Sequence, residues 1–247
     1  MTSLINDITN LKNNNIFGIK QSFEDEGVLL DDVMTMRRIT ELTNLKLNVK
    51  IGGCEALTDI HNCKSIGVDA IVAPMIETEF ALQKFIESIT TLKNIDFYIN
   101  IESKTGYENL SKILSSPSSK LLKGIVIGRS DLTKSYGYDK SYVDSEFIYD
   151  IVFNAMKMAK SYGLKTLMGG NISSNSIDFI KKLNNNNLID YIETRNVIIK
   201  LKNINTLEDD IKSAILFESN WLLYKSKKYN DIGDSYKNRS EVIKDRI

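Results

Sequence analysis

Glu102 and Asp131 are the two residues of this 247-residue chain whose setting best suits chemistry. Glu102 ends an apolar run at 95–102, where two-residue alternation puts Tyr98, Asn100 and Glu102 on one face and Phe97, Ile99 and Ile101 on the other. Asp131 follows the next such run, 124–127, after Gly128, Arg129 and Ser130. Two carboxylates leaving consecutive strands must be compensated. Two readings stand side by side: each is salt-bridged at the rim, or the two share a divalent cation, which neutralises both without a large rise in either pKa. Two carboxylates with open water positions make a magnesium-type rather than a zinc-type donor set.

Polar residues recur in other runs that ought to be apolar. Lys20, Ser22 and Glu24 share a face, as do Asn48 and Lys50 just before Gly52 and Gly53, and Tyr191, Glu193 and Arg195 near 189–197. Several such groups at strand ends point to a polar binding cavity. Lys50 also reads as an ion-pair partner for Glu24 or Glu102. His61 is the one histidine, so a Ser-His-Asp triad or a three-histidine metal site is excluded. Any chemistry falls to carboxylates, lysines, arginines, backbone amides or a bound metal.

The elements that must position these groups alternate. Strands are predicted at 17–23, 45–51, 69–75, 95–102, 124–127, 164–168 and 189–197. Helices are predicted between them at 29–43, 56–66, 78–92, 107–114, 145–162 and 174–183. That order implies βαβ units around a parallel sheet whose strands are buried on both faces. With no GxGxxG or GxxxxGK[ST] loop after any strand, a (β/α)8 TIM-type barrel is favoured over an open doubly wound sheet. Seven strands are one short of closure. A helix is predicted at 4–13, so the first strand is expected to be atypical: missing, displaced or hidden near 14–19. The barrel domain is expected over 1–228, including a long final helix at 207–228, with a polar, solvated tail at 229–247.

Composition bounds the rest. The chain is 42% hydrophobic and 26% charged, with 32 basic and 32 acidic residues, and no block of like charge offers a nucleic-acid face. Two cysteines argue against a disulfide framework, Met1-Thr2-Ser3 opens no signal-peptide pattern, and no apolar run approaches the length needed to span a bilayer. A reduced cytoplasmic protein with neither nucleic-acid nor membrane partners is expected. Ile211, Ile215, Trp221 and Leu222 give the final helix an apolar face suited to a subunit contact, so a homo-oligomer is expected.

Four segments, in this order, carry a likeness: Phe23-Glu24-Asp25, the run Ile71 to Thr78 (I-V-A-P-M-I-E-T), Ile101-Glu102-Ser103, and Gly128-Arg129-Ser130-Asp131-Leu132. They resemble the HpcH/HpaI aldolase and citrate lyase β-subunit family of the phosphoenolpyruvate/pyruvate barrel superfamily, over about 18–137. The resemblance implies a barrel that binds Mg²⁺ or Mn²⁺ and makes or breaks a carbon–carbon bond next to a 2-oxo acid or acyl thioester. It puts the metal ligands on Glu102 and Asp131 and sets Asn100 beside the oxo acid. The substrate carboxylate would lie on backbone amides around Gly128, Arg129 and Ser130.

This sequence departs from that pattern at three places. Lys50 stands where the family has arginine, replacing a bidentate fork by a point charge. Asp25 stands where the aldolase branch has histidine. Arg129 replaces a small residue, proline or threonine, and would add positive charge to the pocket. The expected mechanism therefore sets Lys50, with Arg129, against a developing enolate and assigns proton transfer to Glu24, Asp25 or metal-bound water. The alternatives are a Schiff-base aldolase using Lys20, Lys50 or Lys165, and a catalytically silent barrel acting as a binding or assembly module.

Overall fold

In the computed structural model, residues 15–23, 28–229 and 233–246 are described. The helix expected at 4–13 lies outside the described residues, as do Glu24 and Asp25. Elements run in chain order β1 (Ile16–Ser22), α1 (Leu30–Thr43), β2 (Lys46–Lys50), α2 (Leu57–Ile66), β3 (Ala70–Ala73), α3 (Glu79–Ile89), β4 (Asp96–Ile101), α4 (Lys104–Glu108), α5 (Leu110–Ser115), β5 (Gly124–Gly128), α6 (Arg129–Ser135), α7 (Glu146–Ser161), β6 (Lys165–Gly169), α8 (Ile177–Asn185), β7 (Tyr191–Glu193), β8 (Val197–Lys200), α9 (Leu207–Lys228) and α10 (Gly233–Lys244).

The strands close into an eight-stranded barrel in chain order. β1 to β7 pair in parallel, whereas β8 is antiparallel to both β7 and β1. The first strand is therefore present, and the eighth, Val197–Lys200, begins only at the last residue of the run read as one strand at 189–197 and extends beyond it. After Glu193 the chain turns: Thr194 N–H donates to Val197 O at 2.9 Å and Thr194 Oγ1 accepts from Val197 N at 3.2 Å. A hairpin replaces the crossover helix, because two residues of turn suffice for antiparallel strands.

Alternation sorts side chains as the parallel strands require. Val72, Tyr98, Val126, Leu167, Tyr191 and Ile198 form one apolar cluster, and Phe97, Ile99 and Ile101 belong to another with the surrounding helices. At the N-terminal ends of the strands two aspartates repeat one device. Asp69 accepts Leu47 N–H, Arg37 and Lys46. Asp190 accepts Thr166 N–H, Lys160 and Lys165. Burial pushes both carboxyls up, but the hydrogen bonds from these lysines, Arg37 and the strand amides outweigh it and hold both below the ordinary 3.8.

β8 runs down to this base, so α9 starts there, where Asn15 Nδ2 donates to Asp210 Oδ2 at 2.8 Å, and climbs towards the opposite end. Its residues Ile211, Ile215, Trp221 and Leu222 are all buried within the chain. The apolar face from which a homo-oligomer was expected is consumed intramolecularly, and that argument for a subunit contact fails. Part of its cover comes from residues 233–244, read from sequence as polar tail. They form α10, which buries Tyr236, Ser240 and Ile243 against α9. The upper end of α9 is latched to α1 by a fully buried ion pair, Lys225 to Asp32 at 3.0 Å, with Tyr229 OH donating to Asp32 at 2.8 Å and the Tyr236 ring 4.3 Å from the Lys225 ammonium. Among the described residues no helix is long and apolar enough to cross a membrane.

Two predictions follow from these ion pairs. Lys225→Met leaves Asp32 buried without its main countercharge and should lower unfolding stability by about 3–5 kcal/mol in urea titrations. Because the folded pKa values of Asp69 and Asp190 are depressed, their contribution is full above the ordinary aspartate value and is lost as pH falls through the folded values. Asp190→Asn should therefore flatten the acid limb of a stability-against-pH curve; an unchanged limb would refute the assignment.

Candidate active site

The C-terminal ends of the strands surround a cavity of about 590 Å³. Its base is built around Glu102, a carboxylate only 4% exposed. Oε2 accepts from Asn100 Nδ2 at 2.9 Å and lies 3.4 Å from Lys50 Nζ, while Oε1 accepts from Met75 N–H at 3.1 Å. Met75 follows β3 with φ +50°, and alone among the described non-glycine residues of positive φ it is not an asparagine. A bulky residue there costs about 1–2 kcal/mol, a strain held at the same residue whose amide donates to Glu102. Room for the carboxylate comes from the neighbouring strand: a Cβ at Gly128 would stand 2.8 Å from Glu102 Cβ and 2.9 Å from Oε2.

The same construction recurs across the barrel. Glu193 at the end of β7, 3% exposed, is ion-paired to Lys20 of β1. A Cβ at Gly169 on β6 would lie 3.0 Å from its side chain. Each buried carboxylate thus has a lysine two strands away and a glycine on the strand beside it. Burial of an unpaired carboxylate would be prohibitive, and these lysines remove that cost.

Lys50, Asn100, Glu102, Gly128, Ser130 and Asp131, all singled out from sequence, line this one cavity, as do Lys20, Glu193 and Arg195, read there as polar residues in strands. Asp131 stands in the first turn of α6, where a negative charge is favoured by the helix dipole. Arg129 is the correction. It was expected to add charge to the pocket, yet its side chain is wholly buried behind the wall. There it donates to Gly170 O at 3.0 Å and Ser176 Oγ at 3.1 Å, pairs with Asp144, and stacks on Phe179 at 4.8 Å. The physical reason is local: β5 ends at Gly128, so Arg129 begins a helix and no longer follows strand alternation.

Sequence reading did not choose the Lys20–Glu193 pair, although Glu193 was visible as a polar residue in a strand. It also passed over the loop Gly169, Gly170, Asn171 and Ile172, which lines the cavity after β6. The double glycine at that strand exit was the available signal. Arg239 and Arg246 in and after α10 line the cavity too, and no strand pattern could have placed them.

The donor set decides which metal the base could accept. Among the described residues no group of three or more His, Cys, Asp and Glu side chains could hold an ion. A metal here would rest on Glu102 and Asp131, with substrate and water supplying the other oxygens. Magnesium and manganese fit such a set, and zinc does not.

A family model of HpcH/HpaI aldolase/citrate lyase matches residues 31–176, more than half of the chain. The chain belongs to this family. No curated protein matches it. Among solved structures it is similar to the citrate synthase SbnG (TM-score 0.61, 13% identity, 77% of this chain and 89% of that one). It is also similar to a HpcH/HpaI aldolase/citrate lyase family protein from Burkholderia cenocepacia J2315 (TM-score 0.60, 13% identity, 76% and 91%). A third likeness is to Haloferax volcanii malate synthase in a magnesium and glyoxylate complex (TM-score 0.58, 11% identity, 78% and 64%). At these identities the likeness shows a shared fold. Family membership places the chain among aldolases and lyases.

The burial of Arg129 yields a test. Arg129→Met strips Asp144, Gly170 O and Ser176 of their shared donor and should cost about 3 kcal/mol or more of stability. Binding of small ligands to whatever fraction stays folded should be unchanged, by calorimetry. A stable variant with weakened ligand binding would return Arg129 to the pocket.

Proposed function

We propose that this chain is a divalent-metal-dependent carbon–carbon lyase or aldolase acting on a small 2-oxo acid or related acyl substrate through an enolate. The observation that carries this reading is the convergence of Lys50 and Asn100 on Glu102 Oε2 at the floor of a cavity that Asp131 also lines. Glu102 and Asp131 would hold Mg²⁺ or Mn²⁺, which when bound supplies Lewis-acid polarisation of the keto oxygen. Lys50 sets an ammonium where the oxo oxygen gains negative charge as the carbon–carbon bond breaks. Asn100 holds Glu102 in place and keeps its oxygens turned to the cavity. Ser130 and the backbone around Gly128 offer donors to the substrate carboxylate. Proton transfer is assigned to Glu24 or Asp25, outside the described residues; Glu193, on the same cavity and paired to Lys20, is the described carboxylate able to stand in for them.

The Schiff-base alternative is disfavoured by where the lysines sit. Lys165 opens β6 at the far end of the barrel and pairs with Asp190, whose hydrogen bond and charge push its pKa up. Lys20 and Lys50 are each engaged by a buried carboxylate, Glu193 and Glu102, so neither amine stands free to attack a carbonyl.

A thermal-shift series with Mg²⁺ or Mn²⁺ and pyruvate, oxaloacetate or an acyl thioester tests the proposal. A ligand at about a hundred times its Kd should stabilise the protein by about 2.7 kcal/mol, and Asp131→Asn should abolish the metal-dependent part. Lys50→Met should lower turnover about 10²–10³-fold while metal binding changes little, and Lys50→Arg should retain part of the activity. No response to any metal and oxo-acid pair would leave the silent binding module standing instead.

A further inference from the structure

Gly128 and Gly169 stand opposite each other in the register of β5 and β6. Both face the barrel interior, two residues beyond Val126 and Leu167 of the inner apolar cluster. Adjacent strands lie about 4.8 Å apart, so the two glycines make one small patch of bare backbone in the cavity floor. Each is overlaid by a carboxylate from its outer neighbour. Glu102, after β4, crosses Gly128, where an added Cβ would lie 2.8 Å from its Cβ and 2.9 Å from Oε2. Glu193, ending β7, crosses Gly169, where an added Cβ would lie 3.0 Å from both Cγ and Oε1. Two buried carboxylates therefore lean towards each other over the same two glycines.

Lys20 holds Glu193 in that position. Its ammonium pairs with Oε1, and among the described residues Oε2 accepts no hydrogen bond. Lys20 is itself fixed by the turn after β7: its N–H donates to Asn196 O at 2.8 Å, and Asn196 Nδ2 donates to its O at 3.2 Å. Closing the barrel does not require this pair, because well-packed apolar residues of similar volume usually serve a core as well or better. Gly169 gives up side-chain packing to admit the same carboxylate. Among the described residues no three His, Cys, Asp or Glu side chains are grouped to hold an ion, so Glu193 is not a third ligand beside Glu102 and Asp131. A carboxylate that faces the reacting centre from outside the metal set is suited to moving a proton.

We propose that Glu193 is the proton-transfer carboxylate of the reaction and that Lys20 is its positioning residue. This rests on the preceding reading, which seats the 2-oxo acid at Glu102 and Asp131. In the cleavage direction the Glu193 carboxylate takes the proton from the hydroxyl on C4 of a 4-hydroxy-2-oxo acid. The O–H electron pair becomes the second bond of the leaving aldehyde, and the C3–C4 pair passes into the enolate. The Glu193 carboxyl then returns its proton to C3, which releases the shorter 2-oxo acid and restores the carboxylate. Glu24 and Asp25 are not needed for either transfer.

The second transfer runs without an acceptor aldehyde, so the test is exchange of the pyruvate methyl protons for deuterium, followed by NMR with Mg²⁺ in heavy water. The unaltered chain should exchange them, and Glu193→Gln should be about 10²-fold or more slower. Glu193→Asp keeps a charge for Lys20 but withdraws the carboxylate by one methylene. It guards against a folding defect, and should lose about tenfold or more while the melting temperature holds. Lys20→Arg should recover exchange that Lys20→Met loses. The Mg²⁺ and pyruvate thermal shift, measured on the same samples, should be equal in the unaltered chain and both Glu193 variants. Undiminished exchange in Glu193→Gln returns the proton to Glu24 or Asp25 and overturns the inference. So does a shift lost together with exchange, which makes Glu193 a binding group, and so does an unaltered chain that shows the shift but exchanges no protons. Absence of the shift from the unaltered chain removes the oxo-acid reading, and this inference with it.

Discussion

A carboxylate enclosed at the mouth of a barrel has to be met by hydrogen bonds and positive charge, and meeting that demand for Glu102 organises four strands. β2 supplies Lys50, β4 supplies Asn100 from the same face two residues earlier, and the segment after β3 turns the Met75 amide inward at the expense of a left-handed backbone. β5 contributes by omission, since any side chain at Gly128 would occupy the place of the carboxylate. None of these choices improves the apolar core. Strain at Met75 and the loss of packing at Gly128 both act against stability, and such departures cluster where function fixes geometry. Lys20, Glu193 and Gly169 apply the same rule on the opposite side, so the base of the cavity is preorganised by two charge pairs rather than by one.

Much of this was legible in the sequence because alternation in a strand assigns each residue to a face. The run at 95–102 could be read residue by residue, and Asn100 and Glu102 do line the cavity while Ile99 and Ile101 pack under the helices. Reading failed where the period changed. Arg129 sits one residue beyond a strand, where a helix begins, and its side chain swings behind the wall. The hairpin after Glu193 was hidden because Thr194, Arg195 and Asn196 carry no glycine or proline, and apolar residues continue on both sides. For α9 the pattern revealed an apolar face but not what covers it. The cover is a mostly polar helix whose buried residues, Tyr236, Ser240 and Ile243, fall at helical spacing too sparse to stand out.

The antiparallel last strand explains why the chain's end reaches the cavity at all. In a regular βα unit the helix starts at the mouth and runs down to the base. With β8 reversed, α9 starts at the base and delivers its C-terminal end beside the N-terminus of α1. The two helix ends are then complementary: Asp31 and Asp32 lie in the first turn of α1, and Lys225, Lys227 and Lys228 in the last turn of α9, each sign where the helix dipole favours it. From that meeting the Asp32–Lys225 pair is drawn fully inside, where Tyr229 and Tyr236 seal it. Because α10 packs back along α9 from this fixed point, Ser240 against Ser219 at 2.6 Å, Arg239 and Arg246 come to the rim of the cavity. A single reversed strand thereby couples closure of the barrel to the make-up of the cavity wall: the residues that hold the last helices in place are buried, yet they decide which side chains of the C-terminal segment line the cavity.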